Sequence, residues 1–410
     1  MRRIHLIVTV AILTSLMLTA CVTTTTPTTG ETGEAFTYTD EWGVGVVPAG
    51  NPIKIGFAAA LSGAGLDVLG IDEKRGAEIA LRDKGPILGF EVELDAQDDL
   101  CSAEGGQTVA NKFVADPQVV AVIGNMCSSS CVPASVIYQQ NHYTMVSPSC
   151  TAPSLTAPET ATEIFHRTAT DDTNQGPMDA QFIYEVLGLR KIATIHDGSP
   201  YGEQLANQVA DTFESLGGTV IARQAISVGE TDMKSVLRTI KAAEGGPPEL
   251  IFFGGFVAEG AQLARQRAEV EGMENVLFFG PDGIYAKAFI EAAGAMAEGV
   301  YASGPAPVPD EFVQKYVEAY GEEPIAPYHG TAYDAFMLIA NGIEAVGKVD
   351  PQGNLHIGRK ALRDYIRSNK GYQGLSGTIT CNEYGNCGPK DLVIAVIEGG
   401  KFKVVYKSVE

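Results

Sequence analysis

Apolar positions fall into two spacings along this chain, and their alternation predicts most of the fold. Short continuous apolar runs at 53–59, 119–123, 191–195, 250–253 and 276–279 predict strands covered on both faces, as in parallel sheets. Between them, apolar residues recur at helical spacing: 73–83, ending at Gly85-Pro86; 102–115, capped by Ser102; a helix opened by Ser128, Ser129 and Ser130; then 202–216, 233–244 and 259–271. Weaker strands are expected at 92–94, 143–146 and 219–222. The 300–380 region is richer in helix, at 310–320, 328–346 and 359–368, and strands at 392–397 and 402–406 end the chain. Repeated strand–helix units of this kind predict an α/β fold with doubly wound parallel sheets. The units form two runs that divide near Arg167, so two lobes are expected: 51–171 with 304–380, and 172–303 with 381–410.

The first 50 residues follow neither spacing. Arg2 and Arg3 precede an apolar run from Leu6 to Leu18, which reads as a secretory signal over 1–20. Its ending, Leu18-Thr19-Ala20-Cys21, resembles the bacterial lipobox, whose cysteine is diacylated and becomes the first mature residue. The run is short for a membrane span, and no later segment has the ~18 consecutive apolar residues one needs. Residues 21–50 are rich in Thr and read as a tether from a lipidated Cys21. A flexible chain of about 29 residues reaches roughly 30 Å, enough to hold a globular body off a membrane. Trp42, Val44, Val46 and Val47 give the end of this stretch side chains that can pack on the body. The protein is therefore expected to be exported and to meet the membrane only through its lipid.

Removing 20 of the 410 residues leaves 390, suited to two domains. Net charge is −21. Such acidity argues against nucleic acid, which requires clustered Lys and Arg, and against adhesion to anionic lipid. Besides Cys21 there are six cysteines, and in an exported chain an even number predicts disulfides. Cys381 and Cys387 bracket a turn-rich stretch and are expected to pair locally. Cys101, Cys127, Cys131 and Cys150 would form two further bridges. A metal site built on Cys127, Cys131, Cys381 and Cys387 is the competing reading, but the spacings do not fit a zinc ribbon.

In open parallel sheets ligands bind beyond the carboxyl ends of the strands. There the sequence places Asn125-Met126-Cys127-Ser128-Ser129-Ser130 at a helix start, whose unpaired N–H groups suit a carboxylate or phosphate. A plain helix cap explains those serines equally well. Ser147-Pro148-Ser149-Cys150-Thr151 adds hydroxyls, and the second run of units contributes Tyr201, Phe256 and Asp282 after its strands. Hydroxyls and N–H groups on one lobe, with aromatics and a carboxylate on the other, suit a zwitterion. Enzymatic signatures are missing: there is no Gly-x-Ser-x-Gly elbow, Walker loop or His-Glu-x-x-His motif. Gly63-Ala64-Gly65 reads as a tight turn, and His142, His166, His196, His329 and His356 are scattered without ligand spacing, most of them reading as surface or capping residues. No catalytic residue, metal or cofactor is assigned.

These segments together resemble the leucine/isoleucine/valine-binding proteins of ABC transporters, which have the type I periplasmic binding protein fold. The resemblance spans roughly 51–410. It rests on Gly124-Asn125-Met126-Cys127-Ser128-Ser129-Ser130, Ser147-Pro148-Ser149-Cys150-Thr151-Ala152-Pro153, Gln175-Gly176-Pro177, Tyr201-Gly202-Glu203, Gly254-Gly255 and Gly280-Pro281-Asp282-Gly283, all in family order. It implies two lobes joined by three crossing segments, closing on an amino acid that an ABC permease then receives. It also implies that Ser128 and Thr151 hold the ligand carboxylate, and that the Ser149 carbonyl, the Thr151 hydroxyl and Asp282 hold its ammonium. Tyr201, Phe256, Leu69 and the Cys150 segment complete the implied ligand set.

The resemblance further implies a Cys101–Cys127 bridge. With that pair taken, Cys131 pairs with Cys150, a bridge not expected throughout the family. Leu69 and Phe256 stand where family members often carry Tyr, and Asp282 where Glu is common, which points to a roomier or more apolar pocket for a branched-chain or larger side chain. Amides, urea-like ligands, or a sensor role without transport are the alternatives. Asp172, near the lobe crossing, reads as either a second anion or a hinge or capping residue.

Overall fold

Two parallel sheets carry the chain's longest apolar runs. A computed structural model describes residues 36–63 and 65–408; the signal, Cys21 and the Thr-rich part of the tether lie outside the described residues. The chain divides into units of residues 1–37 and 38–410, and every element below belongs to the second.

The first stretch holds β1 (Val44–Val47), β2 (Ile53–Ala59), α1 (Asp67–Lys84), β3 (Val92–Asp98), α2 (Ala103–Ala115), β4 (Val119–Gly124), α3 (Ser128–Asn141), β5 (Met145–Ser147) and β6 (Phe165–Arg167). Next come α4 (Asp172–Gln181), β7 (Lys191–His196), α5 (Pro200–Ser215), β8 (Thr219–Ala225), α6 (Lys234–Lys241), β9 (Leu250–Gly254), α7 (Val257–Arg267), β10 (Leu277–Gly280), α8 (Lys287–Ala293) and β11 (Tyr301–Pro305). The remainder is α9 (Asp310–Tyr320), α10 (His329–Val346), β12 (Lys348–Val349), β13 (Leu355–Gly358), α11 (Arg359–Arg367), β14 (Lys370–Gln373), β15 (Thr378–Thr380), β16 (Leu392–Glu398) and β17 (Lys401–Lys407).

One sheet has the order β3-β2-β4-β5-β6, all parallel. The other runs β17-β16-β11-β10-β9-β7-β8, parallel except at β16 and β17. The central strands are apolar throughout because helices cover both faces: β4 (VVAVIG) and β9 (LIFFG) are buried at every position. The edge strand β17 (KFKVVYK) has exposed lysines, a composition that discourages pairing with other chains. Near the start, β1 pairs with β13 and Val47 is fully buried, while the Trp42 ring stacks on His142 at 5.0 Å. The end of the 21–50 stretch is thus folded onto the body.

The chain passes between the sheets three times: after β6, after β11 and between β15 and β16. The passages lie side by side. Arg167 N–H donates to the Gly385 carbonyl at 3.0 Å, Cys387 N–H to the Arg167 carbonyl at 3.1 Å, and Ala306 N–H to the Asp391 carbonyl at 3.1 Å.

Some elements depart from the apolar spacing for visible reasons. Helix α1 begins at Asp67 rather than near Glu73, because its first turns bury Leu69 and Gly70 on β2. Strand β6 is three residues long and buries a His and an Arg, so no apolar run marks it. Helix α4 opens Asp-Thr-Asn-Gln-Gly-Pro, a turn composition; the Asp171 carboxylate caps it, accepting from Thr173 N–H at 3.1 Å. Two of these five histidines, most of which read as surface or capping residues, are buried. His166 is fully enclosed, and His329 Nδ1 lies 2.9 Å from Asp72 Oδ2 with its ring stacked on Phe312. Among the described residues no helix is long and apolar enough to cross a membrane.

Candidate ligand-binding site

In the first sheet β2 lies between β3 and β4; α2 and α3 pack together on one face, α1 and α10 on the other. The second sheet repeats the plan, with β7 between β8 and β9 and the following helices divided between α5 beside α4 and α7 beside α8. Each sheet therefore has a switch point, where its loops part and leave a crevice beyond the strand ends. The two crevices share a cavity lined by Leu69, Glu73, Met126, Cys127, Ser128, Ser149, Tyr201, Phe256, Asp282, Gly283 and Tyr328.

One wall comes from the first sheet's loops. Ser128 is the first residue of α3, so the helix N-terminus and its positive dipole end border the cavity. Its hydroxyl accepts from Ala152 N–H at 3.2 Å, joining the segments that follow β4 and β5. Cys150 is held by Ser147, whose hydroxyl accepts its N–H at 2.9 Å. Arg167, completely buried, donates to the Cys150 and Ala152 carbonyls at 3.0 Å each and to Asp171 at 3.0 Å, which ties this loop to a crossing segment. Disulfides Cys101–Cys127 and Cys131–Cys150 brace both ends of the wall, and Cys381–Cys387 staples the return crossing. With these six cysteines oxidised, none supplies a thiolate to a metal.

The opposite wall centres on Asp282, which follows β10 and is buried. Tyr201 Oη donates to its Oδ1 at 2.9 Å and Gln175 Nε2 to the same oxygen at 2.6 Å, while Tyr328 Oη donates to Oδ2. Tyr201 sits in the first turn of α5, positioned by the Ser199 cap, and its hydroxyl accepts Gly283 N–H at 3.1 Å. The Phe256 ring leans on Tyr201 at 5.1 Å between centroids.

The electrostatics are unusual for a chain of this acidity. Burial raises the Asp282 pKa above the ordinary carboxylate value against its three donors. Burial also lifts Glu73 well above the normal range, opposed by the Ser149 hydroxyl. Asp172 is raised well above it by burial and then by Asp282. Neither Asp172 oxygen nor the Thr151 hydroxyl makes a hydrogen bond of good geometry, although that hydroxyl is close enough to oppose the shift. Gln175 also donates to Ser303 at 3.0 Å, and Ser303 donates to buried Asp179 at 2.9 Å, extending the acidic network beneath the site. An ammonium group fits this environment, since it supplies the positive charge and N–H donors that the buried acids lack.

Of the residues singled out in the sequence, Leu69, Ser128, Ser149, Tyr201, Phe256 and Asp282 share this cavity. Cys150 and Thr151 stand behind its lining: Cys150 is fully buried in its disulfide, and Thr151 is buried beside Asp172. The cap of α4 is Asp171, not Asp172. Sequence reasoning missed Glu73, Tyr328 and Gln175. Glu73 had a signal, standing four residues after Leu69 and so on the same helix face. Tyr328 had none, because it arrives from a distant segment just before α10.

Comparison with known proteins agrees with this geometry. Residues 52–401 match the family model described as periplasmic binding protein. The leucine-, isoleucine-, valine-, threonine- and alanine-binding protein of Pseudomonas aeruginosa is 32% identical over 74% of this chain and 81% of its own length. The Leu/Ile/Val-binding protein of Escherichia coli is 33% identical over 71% of this chain and 79% of its own. The crystal structure of a leucine-binding protein, LivK, from Thermotoga maritima superposes with a TM-score of 0.77 at 26% identity, covering 87% of this chain and 98% of that one. This chain belongs to the periplasmic binding proteins, exported solute binders rather than enzymes, and among them to the branched-chain amino acid-binding group.

Proposed function

We propose that this protein captures an α-amino acid between its lobes and delivers it to an ABC permease, anchored outside the cell by a lipid on Cys21. The observation that carries the amino-acid reading is a buried acid, Asp282, facing Ser128 and the α3 N-terminus across one small cavity. That arrangement complements a zwitterion. The ligand carboxylate takes the Ser128 hydroxyl and the N–H groups at the start of α3. Its ammonium takes Asp282 and the Ser149 carbonyl, with the Thr151 hydroxyl, which makes no hydrogen bond of good geometry, just behind them. Leu69, Tyr201, Phe256 and Tyr328 surround the side chain. The similarity to amino-acid-binding relatives supports the same reading.

Binding operates by closure. Only when the lobes approach does the ligand contact both walls, so ligand shifts the population toward the closed form that a permease recognises. Micromolar affinity, about 8 kcal/mol, is reachable from several charge-assisted hydrogen bonds and one buried side chain. A thermal-shift panel of common amino acids, simple amides, urea and short carboxylates tests the ligand class. At least one α-amino acid is expected to raise the melting temperature. The reading is wrong if an amide or urea does so and no α-amino acid does.

A further inference from the structure

Glu73 lies in the cavity without a role in the scheme above. Its side chain is fully buried and lines the cavity four residues after Leu69. The Glu73 carboxyl is within hydrogen-bond reach of the Ser149 hydroxyl, and that hydroxyl is also 2.9 Å from the Met126 carbonyl. The other carboxyl oxygen, Oε2, has no partner.

The Ser149 hydroxyl has one proton, so it cannot donate to both oxygens. If Glu73 were ionised, one of the two contacts would be a bare oxygen–oxygen approach in a buried place. A protonated Glu73 resolves this. Its Oε1–H donates to Ser149 Oγ, and Ser149 donates to the Met126 carbonyl, so every atom of the chain is satisfied. Burial favours the same neutral form. What remains is Oε2, a buried and unpaired carbonyl-type acceptor on a residue that lines the cavity, and an unpaired buried acceptor discriminates against ligands that cannot donate to it.

We propose that Glu73 Oε2 is a specificity-determining acceptor, and that the ligand is an α-amino acid whose side chain carries a neutral donor, a hydroxyl or a primary carboxamide. This rests on the amino-acid reading and narrows it. A purely aliphatic side chain leaves Oε2 desolvated and unpaired. A cationic side chain is disfavoured because it needs Glu73 ionised, which breaks the Ser149 chain.

The test is calorimetry on near-isosteric pairs, threonine against valine and asparagine against leucine, with wild type, Glu73→Gln and Glu73→Met. Wild type is expected to prefer the donor-bearing member of at least one pair by about tenfold or more. Glu73→Gln retains that preference, because a carboxamide donates to Ser149 and presents a carbonyl oxygen to the ligand, just as the neutral acid does. Glu73→Met abolishes it while leaving the aliphatic member bound as well as before or better. If Glu73→Met does not fold, the wild-type ratios and Glu73→Gln decide. The inference is overturned by aliphatic preference in both wild-type pairs, by loss of donor preference in Glu73→Gln, or by a preference untouched in a folded Glu73→Met. Any of these leaves the amino-acid reading standing, whereas failure of every amino acid to bind removes both.

Discussion

Burial and hydrogen bonding pull the Asp282 carboxyl in opposite directions, and ligand binding shifts the balance. With burial ahead, its pKa in the unliganded protein is raised. An ammonium contact favours the ionised form, so the complex has the lower pKa and affinity is greatest above the unliganded value. Affinity is therefore expected to fall as pH drops through that raised value toward the complex's own. Asp282→Asn should weaken an α-amino ligand about 100-fold, near 3 kcal/mol, and flatten this dependence in calorimetry from pH 5 to 8. An unchanged dissociation constant would take Asp282 out of the site.

Stability of the unliganded protein has the opposite pH dependence to that affinity, and Asp172 contributes to it. Its folded pKa lies well above the unfolded value near 3.9, so the folded state holds a proton that the unfolded chain has released. Stability from this group is present below the unfolded value and is lost as pH rises through the raised one. Glu73 and Asp179 act in the same sense. The unliganded melting temperature is expected to rise as pH falls from 8 toward 5. Asp172→Asn should stabilise the unliganded protein at pH 7 by about 1–3 kcal/mol, since a neutral amide spares folding the uptake of a proton that the unfolded chain has released. A wild-type melting curve that only falls over that range, unchanged in Asp172→Asn, would contradict this account.

Among the elements, α1 shows how the site is held. It carries Leu69 and Glu73 and packs against α10, and the approach is so close that a Cβ on Gly76 would lie 2.1 Å from the His329 carbonyl oxygen. Backbone cannot yield as a flexible side chain does. Gly76→Ala is expected to cost about 1–3 kcal/mol through overpacking, read by denaturant unfolding. It should also weaken binding, because Tyr328 and His329 move with the start of α10. A variant as stable as wild type would mean the helices separate freely here.

The same elements show what the sequence made legible. Strands β4 and β9 could be read because a buried parallel strand must be apolar at every position. The loops after the strands could be read because the switch point lies where strands end, which brought Ser128, Tyr201, Phe256 and Asp282 forward from their neighbours alone. β6 and α4 could not, since Arg167 and Asp171 are buried by pairing with each other rather than by apolarity. Tyr328 reaches Asp282 through the return of a distant segment, a relation of tertiary structure with no local trace.

In the whole molecule, the contacts that cross the cleft set how readily it closes. Tyr328, on the α1–α10 side, donates to Asp282 of the second sheet's loops. Away from the cavity, Gln204 of α5 reaches Ser154: the Ser154 N–H donates to Gln204 Oε1 at 3.1 Å, and Gln204 Nε2 donates to Ser154 Oγ at 3.1 Å. Gln204 is not among the cavity-lining residues, so its loss changes the closing equilibrium without removing a ligand contact. Two hydrogen bonds of about 1 kcal/mol each shift a two-state equilibrium by roughly 30-fold toward the open form. If unliganded wild type is partly closed, small-angle scattering of Gln204→Ala should show a larger radius of gyration than wild type. Saturating ligand should bring both to the same value. Because only the closed form makes both sets of contacts, apparent affinity should weaken by up to that factor, with the same preference order across the amino-acid panel. A changed preference order would place Gln204 in the ligand's surroundings. Equal scattering together with equal affinity would show that closure does not depend on this edge of the cleft.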